Sequence, residues 1–277
     1  MRILVTGHEG FIGKNLASYL NYKGHEVEGW EWQPNKVPDP APYDRIIHMG
    51  AISSTTETDI DKVWEQNYEF SMRLLQVCDK FGTTLMYASS ANQYGNINGN
   101  VPIKENDKKL PTSPYGWSKY LFDRSVLEIP EYTCNVQGFR FFNVYGHGEE
   151  HKGDQMSVFH KFEKQAKETG VIKVFEGSDK IYRDFIWVGD VCQIIEKFID
   201  VDQTDVWNIG TGKARTFLEI ANLYAKKYDA KVEEIPMPDK LKLQYQYFTE
   251  ANIDKLSNTI GEYKFMSIEE YVNGGQA

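Results

Sequence analysis

Cysteine is scarce. Cys78, Cys134 and Cys192 are the only three in 277 residues, widely spaced and without a CxxC pair. A disulfide-stapled scaffold is therefore excluded, the three read as buried thiols, and no metal site is assigned. Long apolar runs are missing as well. None approaches the ~20 residues that span a bilayer, and the opening Met-Arg-Ile-Leu-Val-Thr-Gly enters a strand directly, without the apolar core and cleavage site of a signal peptide. A cytoplasmic protein with no membrane partner is expected. Basic charge is in deficit, with 31 Lys and Arg against 40 Asp and Glu and a net charge of -9. General binding to nucleic acid or anionic membranes depends on a cation surplus and is excluded. An anionic small ligand is not, because local cations and helix N-termini suffice to hold one. Internal repeats and low-complexity tracts are also absent.

What is present begins at the N-terminus. The apolar run 2–6 ends in Gly7-His-Glu-Gly10-Phe-Ile-Gly13, and Leu16 and Leu20 follow with helical spacing. In a strand–turn–helix setting the first glycine permits the turn, the second admits a pyrophosphate, and the third allows close helix–strand packing. The spacing is GxxGxxG rather than GxGxxG, so plain turn glycines are the competing reading; the position at the first strand favours a dinucleotide site. Residues 25–30 read as the second strand. Glu31 stands at its end, about 20 residues past the fingerprint, where an acid bonds both ribose hydroxyls and repels a 2'-phosphate. This leans toward NAD over NADP, with Lys36 opposing. Pro34, Pro38, Pro40 and Pro42 mark a connector too short for a further helix and strand.

A strand over 45–49 runs into the small-residue turn Gly50-Ala51, which lets a cofactor pass. Helical periodicity over 61–81 stops at Gly82. A strand over 85–88 delivers Ser89 and Ser90 at its carboxyl end, where open α/β sheets bind ligands; a cap or turn is the competing reading for this pair. The helix from Tyr115 to Glu128 places Tyr115 and Lys119 on one face, one turn apart. A nearby ammonium is expected to lower the phenol from its ordinary value of about 10 and make it a usable base; the bland alternative is a half-buried tyrosine beside a surface lysine. After a strand over 133–140 and a charged loop to Asp154, the pattern changes to that of a smaller lobe. The fold expected is α/β, a Rossmann-type doubly wound parallel sheet over 1–154, with part of 184–212 returning to it and a smaller C-terminal α/β lobe over 155–277.

The fingerprint, Ser90, Tyr115 and Lys119 together resemble the extended short-chain dehydrogenase/reductase family of nucleotide-sugar enzymes. Within it, Ser53-Ser-Thr-Thr-Glu57, Tyr87-Ala-Ser-Ser-Ala91, Gly138-Phe-Arg-Phe-Phe-Asn-Val-Tyr-Gly146, His151-Lys-Gly153, Phe175-Glu-Gly-Ser178, Arg183-Asp-Phe185 and Pro238-Asp-Lys-Leu-Lys242 are similar to the ADP-glycero-manno-heptose 6-epimerases. The resemblance implies that Phe11 and Ile12 lie in the cofactor turn and Glu31 and Trp32 at the ribose. Met49, Gly50, Ala51 and Ser53 would run along an NAD or NADP cofactor, with Asn67 and Val144 close by. Tyr115 becomes one acid/base, Lys119 its electrostatic partner, Ser90 the group bonding the reacting hydroxyl, and Lys152 the second acid/base. Asn143, Asp154, His160, Phe175, Glu176, Gly177, Ser178, Arg183 and Tyr245 fall at substrate positions. The implied reaction is oxidation at C6 of the heptose and re-reduction on one resident cofactor, in a homo-oligomer serving surface glycan assembly. Plainer readings stand beside these: a solvated Lys152 among Glu149, Glu150 and Asp154, a structural Arg183–Asp184 pair, and core packing for Phe175 and Tyr245.

Three departures qualify the resemblance. The proline connector replaces a helix and a strand, which predicts a sheet one strand narrower and weaker cofactor binding. Asp154 stands where relatives have a small hydroxyl residue touching substrate. Glu31-Trp32 replaces an Asp-Asn pair, whereas the relatives favour NADP. The alternatives are another nucleotide-sugar 4-epimerase or reductase, or a non-catalytic dinucleotide-binding protein. A 4,6-dehydratase is disfavoured because Asn92 and Gln93 stand where such enzymes carry an acidic pair.

Overall fold

The computed structural model describes residues 1–96, 99–128, 131–238 and 246–274. β1 (Arg2–Thr6) leads through the glycine turn into α1 (Phe11–Tyr22), followed by β2 (Glu26–Trp30) and β3 (Arg45–His48). Next, α2 (Ile60–Val63), a π-helical turn (Trp64–Glu69) and α3 (Phe70–Phe81) run continuously into β4 (Thr84–Ser90). Then come α4 (Pro114–Glu128), β5 (Val136–Phe141), β6 (Asn143–Tyr145), α5 (Val158–Thr169), β7 (Val171–Phe175) and β8 (Tyr182–Trp187). The remainder comprises α6 (Val188–Phe198), β9 (Asp205–Ile209), β10 (Ala214–Thr216), α7 (Phe217–Tyr228), β11 (Lys231–Ile235), β12 (Phe248–Thr249), α8 (Asp254–Ile260) and α9 (Ile268–Val272).

Six strands in the order β2-β1-β3-β4-β5-β9, every neighbour parallel, form the expected Rossmann-type sheet. The chain leaves β2, crosses by the proline-rich connector and re-enters at β3 on the other side of β1, so β2 is an edge. Tyr43 Oη donating to Glu28 Oε2 (2.6 Å), Arg2 Nη2 donating to Glu28 Oε1 (2.9 Å) and Arg2 N donating to Asp44 Oδ2 (2.8 Å) pin that connector. In the smaller lobe β8 pairs antiparallel with β10 and parallel with β6 and β12, and β7 pairs with β11.

The period-2 alternation of strand side chains divides the core. Ile3 and Val5 face a layer with Leu16 and Leu20 of α1, Ile194, Ile195 and Phe198 of α6, and Leu256 of α8. Leu4 faces the opposite layer, with Leu74, Leu75 and Cys78 of α3 and Phe122 and Val126 of α4. Thus α6, β9 and α8 all belong to the sheet-bearing body. The lobe has its own core, in which Tyr145 stacks on Phe159 with centroids 3.8 Å apart, and Tyr224 lies nearby. All three cysteines are free and buried. Among the described residues no helix is long and apolar enough to cross a membrane.

One polar network runs through the second layer. Arg140 and Asp123, each with a side chain 1% exposed, pair at 2.7 Å. Asp123 also accepts from Tyr87 Oη (2.9 Å) and Gln93 Nε2 (2.8 Å), and Arg140 Nη1 donates to Tyr94 Oη (2.9 Å) and to the Glu105 carbonyl (2.7 Å). Breaking one side of such a pair strands a charge in low dielectric. Arg140→Met is expected to destabilise the protein by roughly 3–5 kcal/mol, read as an earlier urea midpoint. An unchanged midpoint would show that the pair contributes nothing.

Candidate active site

A cavity of about 980 Å³ opens at the carboxyl ends of β1, β3, β4 and β5, between the sheet and the lobe. Ligands collect there in open α/β sheets because the loops diverge where the strand order reverses. The glycine turn, Met49, Ala51 and Ser53 form one wall, and Ser90, Tyr115 and Lys119 form the floor. Asn143, Val144, Lys152 and Arg183 also line the cavity.

The first wall fits a pyrophosphate. Gly7 has φ +71°, and a Cβ on it would stand 2.4 Å from the Cα of Gly50; one on Gly13 would stand 2.0 Å from the Gly7 carbonyl oxygen. Side chains are therefore excluded at Gly7 and Gly13, where the backbone itself is the surface. The first turn of α1, entered from Gly10, carries no acidic side chain, and its leading amides have no partner within the helix. Gly50 acts from behind as the surface Gly7 leans on, and is not itself on the wall. Glu31 is likewise off the wall, beside the turn: its Oε1 accepts from Glu9 N (2.8 Å) and lies 3.0 Å from His8 Nδ1. Trp32 packs against the second core layer.

Asn67, also off the wall, joins its two halves. Its Oδ1 accepts from Ile52 N (2.8 Å), and its Nδ2 donates to Ile52 O (3.0 Å) and Ser118 Oγ (3.1 Å). Ser118 Oγ donates in turn to the Tyr115 carbonyl (2.8 Å). The loop after β3 is thereby fixed to the helix carrying Tyr115 and Lys119.

Ser90 ends β4 with its Oγ accepting from Asn92 N (3.1 Å), beside the Tyr115 phenol. The expected depression of that phenol is not what the structure gives. Burial raises the Tyr115 pKa and the Asp123 charge adds to the rise, while the Ser90 hydrogen bond works against it. Lys119 is buried by the same wall, and its pKa falls to about 8, chiefly through desolvation, with Asp123 opposing. Desolvation is the largest influence on both groups. His48 is depressed further, to about 3, by burial and then by the Lys119 charge. Its imidazole is neutral and held between Thr6 Oγ1 (2.6 Å) and Ser71 Oγ (3.0 Å).

Lys152, in the turn Glu150–Gln155, faces the cavity. Its Nζ is 3.0 Å from Glu149 Oε2 and 4.7 Å from the ring centroid of Phe11 in the glycine turn. Arg183 lies over the Phe217 ring at 5.6 Å and donates to the Tyr182 carbonyl (2.8 Å). Asp184 is turned the other way, as strand alternation requires, and four donors take it up: Thr211 N, Thr211 Oγ1, Gly212 N and Ala251 N.

His160, Phe175, Glu176, Gly177 and Ser178 do not reach the cavity wall. Ser178 is buried with its hydroxyl unpartnered. Tyr245 and the side chain of Asp154 lie outside the described residues. The wall also holds residues that sequence reasoning passed over: Thr55, Thr56, Asn92, Phe217, Gln246 and Thr249. A signal existed for Thr55 and Thr56, which continue the polar run after the Gly50 turn. The others come from short segments brought in by the lobe or by the turn after β4. Among the described residues no group of His, Cys, Asp and Glu is arranged to hold a metal.

Burial of Lys119 has a stability consequence whose sign follows from proton linkage. The fold holds its pKa at about 8 against an ordinary 10.5. Between those values the unfolded chain binds the extra proton, so the cofactor-free protein gains stability as pH rises through that window and bears the full penalty below it. Relative to Lys119→Met, wild type is expected to gain up to about 3 kcal/mol between pH 8 and pH 10.5. Parallel denaturant titrations of the two proteins read this difference, and a flat one would contradict the assignment.

The model of the NAD dependent epimerase/dehydratase family matches residues 3–210. Among solved structures, the ADP-L-glycero-D-manno-heptose-6-epimerase of Helicobacter pylori is 26% identical, with TM-score 0.86 over 98% of this chain and 94% of its own. The UDP-glucose 4-epimerase of Thermus thermophilus, solved with NAD, is 22% identical, with TM-score 0.80 over 100% of both chains. RMD of Pseudomonas aeruginosa, solved with NADPH, is 22% identical, with TM-score 0.81 over 98% and 94%. The family match runs through the glycine turn, Ser90, Tyr115, Lys119 and Lys152 alike, and the chain belongs to the NAD dependent epimerase/dehydratase family.

Proposed function

We propose that the protein is a nucleotide-sugar epimerase, acting on an ADP-activated glycero-manno-heptose at C6. The observation that carries this reading is one cavity lined together by Ser90, Tyr115, Lys119, Lys152 and a glycine turn shaped for a dinucleotide. The motif resemblance supports the heptose, as does the likeness to the Helicobacter pylori enzyme. NAD(P) is the cofactor of the family. Gly7, Gly10, Phe11, Ile12 and Gly13 would hold its pyrophosphate, Met49, Ala51 and Ser53 its length, and Tyr115 and Lys119 its inner ribose. Glu31 supports NAD as the preferred form, because a carboxylate anchored at the Glu9 amide would repel a 2'-phosphate.

When bound, the nicotinamide would supply acceptance and return of a hydride. The side chains of this chain manage the protons. Tyr115, beside Ser90, exchanges a proton with the C6 oxygen, and the Ser90 hydroxyl orients that oxygen. Lys152 approaches from the lobe side and serves the opposite configuration. Two proton-exchanging groups in one cavity suit an inversion better than one, because the returning proton then need not retrace its path. Arg183 offers a planar fork to the diphosphate, and the aromatic ring of Phe217 beneath it fixes that fork.

Incubation of cofactor-loaded protein with an ADP-heptose epimer, followed by proton NMR, is expected to show a second C6 epimer. Tyr115→Phe and Lys152→Met should each lower turnover by about 10²–10⁴-fold, and Lys152→Met should leave NAD binding intact. Conversion of UDP-glucose in place of the heptose would reassign the protein to 4-epimerisation. Tight NAD binding with every sugar nucleotide left untouched would leave only the non-catalytic reading.

A further inference from the structure

We propose that Glu149 is a positioning residue whose buried carboxylate holds the Lys152 ammonium at the seam between the glycine turn and the cavity. The proposal rests on the reading of Lys152 as the second acid/base. Glu149 is 0% exposed, an unusual place for a carboxylate unless donors converge on it. Four do. Oε1 accepts from Gly146 N (3.2 Å) and Ser157 Oγ (2.7 Å), and Oε2 accepts from Ser157 N (2.8 Å) and Lys152 Nζ (3.0 Å).

Three of these bonds belong to the framework. Gly146 follows β6, which pairs with β8 of the lobe, and Ser157 is the residue from which α5 of the lobe starts. Glu149 therefore ties the end of β6 to the first helix of the lobe. The fourth bond differs, because it alone reaches a charged side chain on the cavity wall. Lys152 is the one charged partner of Glu149 among the described residues.

A lysine on a surface turn ordinarily samples many rotamers and spends little time in any one. Here one end of the ammonium's range is set by a carboxylate that has no solvent to turn toward, and the Phe11 ring lies 4.7 Å away on the other side. An exposed pair contributes little, but this one has a fully buried anchor and a partner whose side chain is 23% exposed. The anchor decides where the cation is, and the cation decides little about the anchor. Sequence distance hides this: the turn Glu149–Lys152 reads as a solvated charge cluster until Ser157 and Gly146 are seen to close over the acid.

The closing experiment has one arm that needs no substrate. Cofactor-free wild type and Glu149→Gln are treated briefly with an acylating reagent for amines, and each lysine is quantified by peptide mass spectrometry. Lys152 is expected to label about five-fold faster in the variant, relative to Lys14 and Lys226 in the same molecules, because the amine is released from its anchor. Equal labelling of Lys152 in the two proteins overturns the proposal. The second arm uses the loaded enzyme. Glu149→Gln should lower kcat about ten-fold with KM changed less than about two-fold. The Glu149→Gln/Lys152→Met double variant should be no slower than Lys152→Met alone; losses that multiply would show that Glu149 acts on the framework and not through Lys152. If wild type epimerises nothing, the acid/base reading falls, while the labelling arm still decides the pairing. Should Glu149→Gln fail to fold, wild type alone decides: labelling of Lys152 as fast as Lys14 overturns the proposal, and labelling about ten-fold slower sustains it.

Discussion

The Asp123 carboxylate, buried where α4 crosses the sheet, is the interaction on which the remaining geometry depends. It sits on the same helix face as Tyr115 and Lys119, at successive four-residue steps. Its partners reach into β5 through Arg140, into β4 through Tyr87, and through Gln93 into the turn that follows Ser90. Gln93 Nε2 lies 3.0 Å from both Ser89 Oγ and the Ser90 carbonyl. The strand end that supplies the serine and the helix that supplies the tyrosine are thus joined through one acid. Its charge also bears on the site, lifting the phenol and opposing the fall of the Lys119 ammonium. A structural ion pair and the electrostatics of the cavity floor are the same object.

The opposite wall is built differently. Where the floor is held by side chains buried in the sheet, Lys152 hangs from a turn outside any strand, and its placement is delegated to a single acid. That asymmetry suits a site formed between two bodies. The floor comes from the parallel sheet and the helix beside it, whereas Lys152 comes from the turn between β6 and α5. Arg183 repeats the pattern, with its guanidinium over Phe217, the first residue of a lobe helix.

Much of the sheet-bearing body was legible because its signals are local. Alternation, glycine stops and the Tyr115–Lys119 spacing depend on neighbours within a few residues, and the strand ends lie within a few residues of where periodicity puts them. The π-helical turn was not legible. Asn67 lies within that turn with its amide on the Ile52 backbone, a partner 15 residues away, and no run of residues announces such a bond. The Arg140–Asp123 pair escaped for a similar reason: each charge looks like a surface residue until the other is seen 17 residues away in sequence. Phe175 to Ser178 shows the converse limit. The motif resemblance puts these residues at substrate positions; in this fold they run from β7 into a short helical turn that does not line the cavity among the described residues.

The edge position of β2 gives the cofactor side a constraint of its own. With no strand paired beyond it, the end of β2 finds its partners in the glycine turn, where Gly7 N donates to the Trp30 carbonyl (2.8 Å). Glu31 anchors one carboxylate oxygen on the Glu9 amide, beside the His8 imidazole, so its position is fixed by the turn rather than by a neighbouring strand. Gly29 allows this arrangement, since a Cβ there would stand 2.1 Å from the His8 ring. The free edge of β2 and the acid–imidazole contact therefore belong to one arrangement, in which the end of the edge strand is held from beneath by residues the turn already needed in order to form.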